Sequence, residues 1–236
     1  MNLLTAARER CHTAIPRLNP MDSLLYDLPA LTIRSISVSD MDNNVYLLTA
    51  KESGAQLLID AADDLPAIRR LIADGAADTR AEPRLALIAT THQHWDHVRA
   101  LKELVDATGA RTAAGVDDAG ALPVPVDVRL SHGDVGNFDG FDVTAVHLRG
   151  HTPGSIAFVY QDPDGPAHIF SGDSLFPGGV GNTQKDPERF NQLLSDVTER
   201  LFGAYPDTAV VHPGHGKPTT LGAERPHLEE WRARGW

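Results

Sequence analysis

The stretch LALIATTHQHWDH, residues 85–97, decides how this chain is read. An apolar run of β-type residues, Leu85 to Thr90, gives way to three imidazoles and a carboxylate within six positions: His92, His94, Asp96 and His97. Burying such groups is costly unless each finds partners, because both nitrogens of every ring must be satisfied. A metal ion satisfies several at once, and imidazole nitrogen with carboxylate oxygen is a donor set that suits zinc, and also iron or manganese. On a tight loop after a strand, His92 and His94 can converge on one ion while Asp96 and His97 turn toward another.

Upstream, LTIRSISV (31–38), NVYLLTA (44–50) and QLLIDA (56–61) read as strands. Asp63 to Ala73 carries Leu65, Ile68, Leu71 and Ile72 at helical spacing, so the chain up to Thr90 forms a strand, helix, strand unit. Downstream, HVRALKELVDATGA predicts a helix ending near Gly109. The second half repeats this rhythm: FDVTAVHL (141–148) runs into GHTPGS, SIAFVY (155–160) follows, and AHIFS (167–171) runs into GDS. DPERFNQLLSDVTERLFG (186–203) predicts a helix with an Asp-Pro start, and TAVVHPGHG (208–216) a strand entering a Gly/Pro loop. Every polar cluster follows a strand, and glycine and proline there let the backbone bend sharply enough to gather side chains. The expected fold class is α/β, with two mixed sheets packed face to face and helices outside. One domain is expected over 25–236, preceded by an N-terminal extension over 1–24 whose weak periodicity predicts poor order.

The formal charge of -11, from 21 basic and 32 acidic residues, repels phosphate backbones, and no local basic patch offsets it. A nucleic-acid substrate is therefore not expected. The longest apolar stretches fall far short of the ~20 residues of a membrane helix. The single cysteine, Cys11, permits no intrachain disulfide, which suits a reducing cytoplasm, the expected location.

Taken as an ordered set, the acidic strand end LLIDA with Asp60, THQHWDH, GHTPGS, GDSLF and HPGHG resemble the metallo-β-lactamase fold hydrolases, particularly the compact glyoxalase II-like branch. The resemblance runs from about Leu31 to the end. It implies an αββα sandwich with metals in a cleft at one edge of the sheets. It implies two divalent ions, zinc first and iron or manganese as alternatives: His92, His94 and His151 on one, Asp96, His97 and His215 on the other, Asp173 bridging. Asp60 resembles the aspartate that supports such a site from behind the ligands. The implied reaction is attack of a metal-bound hydroxide on a carbonyl of a small-molecule thioester, ester or lactone, with Asp96 orienting the nucleophile or moving its proton. A monomer or homodimer is expected.

Two departures narrow this. Val98, Arg99 and Ala100 follow His97 where family members often carry Gly-Gly, which bears on loop packing rather than ligation. In SLFPGGVGNT, Gly179, Val180, Gly181 and Asn182 stand where glutathione-thioester hydrolases and persulfide dioxygenases commonly carry Gly-Cys-Gly-Arg, so glutathione itself is disfavoured. The short tail after His215 suits a compact enzyme without an added helical domain. Phe176, Gly179 and Asn182 are the candidate substrate contacts, with Trp95 an alternative that packs the ligand loop equally well. His212 is expected behind the site, and Asn43, Asn44 and Tyr46 either at the cleft mouth or in a simple turn. His147 could face the site; His12, His132, His168 and His227 read as surface or packing residues. Two rival functions remain: a mononuclear iron persulfide dioxygenase on the same fold, and a metal-binding protein without turnover.

Overall fold

The computed structural model describes residues 23–235. Of the expected extension, residues 1–22 lie outside the described residues, and Leu24 already opens the first strand. The order is β1 (Leu24–Asp27), β2 (Leu31–Val38), β3 (Asn43–Ala50), β4 (Ala55–Ile59), α1 (Leu65–Ala76), β5 (Arg84–Thr90), α2 (Leu101–Thr108), β6 (Arg111–Gly115), β7 (Val128–Leu130). There follow β8 (Val135–Asn137), β9 (Asp142–His147), β10 (Ile156–Gln161), β11 (Ala167–Gly172), β12 (Leu175–Phe176), β13 (Gly179–Val180), α3 (Pro187–Val197), β14 (Val210–Pro213), β15 (Thr219–Thr220), α4 (Leu221–Glu224) and α5 (Leu228–Arg234). Strands β1 to β7 make one sheet in sequence order, and β15-β14-β11-β10-β9-β8 the other. Both are mixed: β4, β5, β6 and β7 run parallel, as do β11 and β14, while the remaining pairs are antiparallel.

Side-chain alternation divides the core into three apolar layers. From β3, Tyr46 and Leu48 point between the sheets and meet Phe158 and Phe170, whereas Val45 and Leu47 point outward and meet Ile68 of α1 and Leu101 and Leu104 of α2. On the far side, Val159, Ile169 and Val211 pack against Phe190 and Leu194 of α3 and Trp231 of α5. The order helix, sheet, sheet, helix is the expected sandwich.

The helix expected from His97 begins only at Leu101, with a single 3-10 turn over Trp95–His97. The amides of Arg99 and Ala100 donate to the carbonyls of Ala62 and Ala61, which holds the chain off a helical path until Ala100. Gly109, at φ +65°, ends α2 where glycine was expected to. Helix α3 continues through a π-helical turn, Thr198–Phe202, to the end predicted for it.

Candidate metal centre

The ligand motifs lie beyond the C-terminal ends of β5 in the first sheet and of β9, β11 and β14 in the second. After Ile59 the chain turns at Asp60, a left-handed residue with φ +59°, a conformation aspartate tolerates better than most. Its carboxylate accepts from the Thr91 amide (2.7 Å), the Thr91 hydroxyl (2.7 Å) and His97 Nδ1 (2.9 Å). Four rings are aimed this way: His92 Nδ1 lies 3.1 Å from Thr91 Oγ1, His151 Nδ1 2.7 Å from the Asn182 carbonyl, and His215 Nδ1 2.7 Å from the Met41 carbonyl. With Nδ1 engaged, each of these rings turns Nε2 toward the others, while His94 offers Nδ1.

The inward atoms are close. His92 Nε2 and His94 Nδ1 are 3.1 Å apart, as are His97 Nε2 and His215 Nε2. Asp96 Oδ2 lies 3.5 Å from His97 Nε2 and 3.3 Å from His215 Nε2, and Asp173 reaches His97, His151 and His215 at 3.4, 3.6 and 3.5 Å. Two donors held at 2.0–2.1 Å on a tetrahedral ion sit roughly 3.3 Å apart, so these spacings match edges of a coordination shell. Three overlapping groups could hold a metal ion: His92, His94 and His151; His92, His97 and Asp173; Asp96, His97 and His215. His151 Nε2 and Asp173 Oδ1 are buried without a hydrogen-bond partner, and both face this cluster. Buried polar atoms left unpaired cost about 1–3 kcal/mol each, and a cation would serve both. The donor set and its geometry fit a divalent ion.

Charge tells the same story. Burial opposes protonation of His97, but Asp60 and Asp173 outweigh it and raise the ring from 6.5 to about 10. His215 is raised through its contact with Asp173. Burial pushes His92 well below its ordinary value and His151 also downward. Burial alone would raise Asp173 and Asp96, yet His215 and His97 hold the first well below its usual range, and Asn43 Nδ2, 3.0 Å from Asp96 Oδ2, helps lower the second. Carboxylates that stay ionised in a nearly dry site attract positive charge strongly. Gly214 is part of the fit, because a Cβ there would stand 2.3 Å from Asp173 Oδ1 and 2.8 Å from His97 Cε1.

The family model described as "Metallo-beta-lactamase superfamily" matches residues 38–215. The chain belongs to that superfamily. Among its curated relatives, a hydroxyacylglutathione hydrolase of Fuscovulum blasticum is 38% identical over 175 residues, 74% of this chain and 62% of the relative, so the chain spans less than two thirds of that protein. Two solved superfamily-like structures resemble it: ETHE1 from Myxococcus xanthus (TM-score 0.71, 26% identity, 85% of this chain and 84% of that one) and TTHA1623 in a di-iron-bound form (0.64, 31%, 81% and 96%).

Within this superfamily member, the structure brings together all seven expected ligand positions and sets Asp60 directly behind them. The other expectations divide. Phe176 lies with its ring centroid 6.4 Å from that of His215, and Gly179 pairs with it across the β12–β13 hairpin. Asn182 lines a separate cavity of about 730 Å³, but its side-chain oxygen accepts from the Gln184 amide and its carbonyl orients His151. His212 does not stand behind the ligands: its Nε2 lies 3.1 Å from His168 Nδ1, between the sheets, because alternation on β14 sends Val211 to α3 and His212 inward. His147 bonds the Pro153 carbonyl, and Trp95 is 62% exposed beneath the Arg99 guanidinium. Asn44 and Tyr46 anchor the loop carrying His215, both donating to the Pro213 carbonyl. Sequence reasoning missed Asn43 as the partner of Asp96, and it missed Arg189, whose guanidinium donates to the carbonyls of Gly150 and His151. A polar residue at a strand start and an arginine on a helix carry no signal of those partners.

Proposed function

We propose that the chain is a binuclear metal-dependent hydrolase of a small-molecule thioester, ester or lactone, acting in the cytoplasm. The observation that carries this reading is the nested donor set, in which His92 belongs to the first and second groups, His97 to the second and third, and two buried donor atoms have no hydrogen-bond partner. On this reading His92, His94 and His151 would hold one ion and Asp96, His97 and His215 the other, with Asp173 available to both. The di-iron-bound neighbour supports the number two, with iron as well as zinc compatible with these donors. The hydroxyacylglutathione hydrolase relative supports a thioester as the substrate class.

Divalent ions held there would supply water made acidic enough to ionise near neutral pH and a Lewis acid for the substrate carbonyl. The chain's own groups do the rest. Asn43 fixes the Asp96 carboxylate, which orients the attacking water or takes its proton. A cleft of about 570 Å³ beside His94 and His151, lined by Gln93, Arg149, Arg189 and Gln192, admits a polar substrate arm. The missing arginine of the 179–182 loop speaks for an arm other than glutathione.

Metal analysis of protein purified without added metal, with a panel of thioesters, esters and lactones assayed on the same sample, tests the reading. Two ions per chain with chelator-sensitive hydrolysis is the expected result. One iron per chain with persulfide oxidation and no hydrolysis overturns it in favour of the dioxygenase, and metal without turnover on any substrate favours a binding protein.

A further inference from the structure

Asp118 touches none of the seven ligand side chains, yet it lies fully buried between the two loops that carry three of them. It follows β6, the parallel neighbour of β5, and its amide donates to the Gly115 carbonyl at 3.1 Å. Oδ2 accepts from the Gln93 amide (3.0 Å), between His92 and His94, and from the Thr152 hydroxyl (2.6 Å), next to His151. Oδ1 accepts from the Gly154 amide (2.7 Å). One carboxylate thus staples the 92–94 loop to the 151–154 loop. The contact is built at close range: a Cβ on Gly154 would stand 2.4 Å from the Asp118 amide nitrogen and 2.8 Å from its Cγ. The other group has supports of its own, since His97 hangs on Asp60, Asp96 on Asn43 and His215 on Met41.

We propose that Asp118 is a positioning residue selective for one of two cation sites, holding His92, His94 and His151 in register while leaving Asp96, His97 and His215 to other supports. This rests on the metal-centre reading above. A carboxylate that accepts three hydrogen bonds from two loops fixes their separation, and a separation error of a few tenths of an ångström falls directly on the donor spacing. An asparagine at 118 keeps the shape but presents an NH2 to one set of donors.

The test uses the full chain stripped of metal, titrated with Zn(II) against a chromophoric chelator and with Co(II) followed by its visible absorption. Thermal unfolding of the metal-free form is recorded in parallel. In D118N one ion is expected to bind about 10–100-fold more weakly, with a changed Co(II) spectrum for that ion only. G154A, which pushes the carboxylate away without removing it, is expected to do the same. Equal weakening of both ions accompanied by a fall in the metal-free midpoint assigns Asp118 a purely structural role and overturns the proposal, as does unchanged affinity. If the wild type holds a single ion that D118N weakens, the binuclear reading fails and the role of Asp118 stands. A single ion indifferent to D118N overturns both.

Discussion

His97 and His212 are both buried, both imidazoles, and each lies 3.1 Å from a second histidine ring nitrogen, yet they titrate in opposite directions. His97 is raised to about 10 and His212 lowered to about 3. Burial works against charge in both; the difference is company. His97 has Asp60 at 2.9 Å, Asp173 at 3.4 Å and Asp96 at 3.5 Å. His212 is stacked on Phe170 and His168, near Tyr26 and Tyr46, and among the described residues no carboxylate hydrogen-bonds it. Clustered histidines alone therefore do not make a cation site. Carboxylates held ionised beside them do, and only one of the two clusters has these.

The comparison can be broken most forcefully at Asp173, the carboxylate shared among the rings. Replacing it with asparagine is expected to cost more than about 100-fold in kcat/KM for hydrolysis, beyond the loss typical of an outer partner, and to reduce the bound metal per chain on direct analysis. Full retention of both would show that the cluster does not depend on its shared acid. Asp60→Asn leaves the donor atoms in place but releases His97 Nδ1, and a 10–100-fold loss in metal affinity is expected from chelator competition.

Stability against pH sharpens the contrast, because His97 and His212 predict opposite slopes in the metal-free protein. His97 has a raised folded pKa, so its contribution is complete below pH 6.5 and is lost as pH climbs through about 10. His212 has a lowered one: the unfolded chain takes up the proton first, and stability falls as pH drops below 6.5 toward 3. At pH 5 that loss is about 2 kcal/mol, from 1.36 kcal/mol per pH unit. Denaturant unfolding across this range should give a shallower acid limb in His212→Gln than in the wild type; an identical limb would show that this ring does not govern acid stability. The smallest effect concerns the support of His215. Tyr46→Phe removes the 2.8 Å bond to the Pro213 carbonyl and should cost about 1 kcal/mol in the same unfolding assay.

What could be read along the chain was whatever local chemistry announces. Strands β2, β3, β5 and β10 and helices α1 and α3 stand close to where apolar periodicity and capping residues put them, since those signals need only neighbours in sequence. The short strands were not legible: RTAAG of β6 has small residues with no pattern, and it is a strand because β5 and β7 supply its hydrogen bonds. The seven candidate donors were legible because histidines and aspartates crowd at strand ends in small-residue loops. Their supports were not. Asn43, Asp118 and Arg189 are ordinary polar residues in sequence, and they act on the site only because the tertiary fold carries their side chains to residues 25 to 53 positions away.

The sequence by itself determined the candidate donors, the layer order and the superfamily, because residue type and period are local properties. The tertiary structure alone decided which nitrogen of each ring faces inward, why one histidine cluster could hold cations while burial disfavours charge on His168 and His212, and that His212 belongs to the second. Those outcomes depend on sheet register and on which carboxylates end up beside which rings, and an electrostatic interaction in a dry interior is set by distances across the fold.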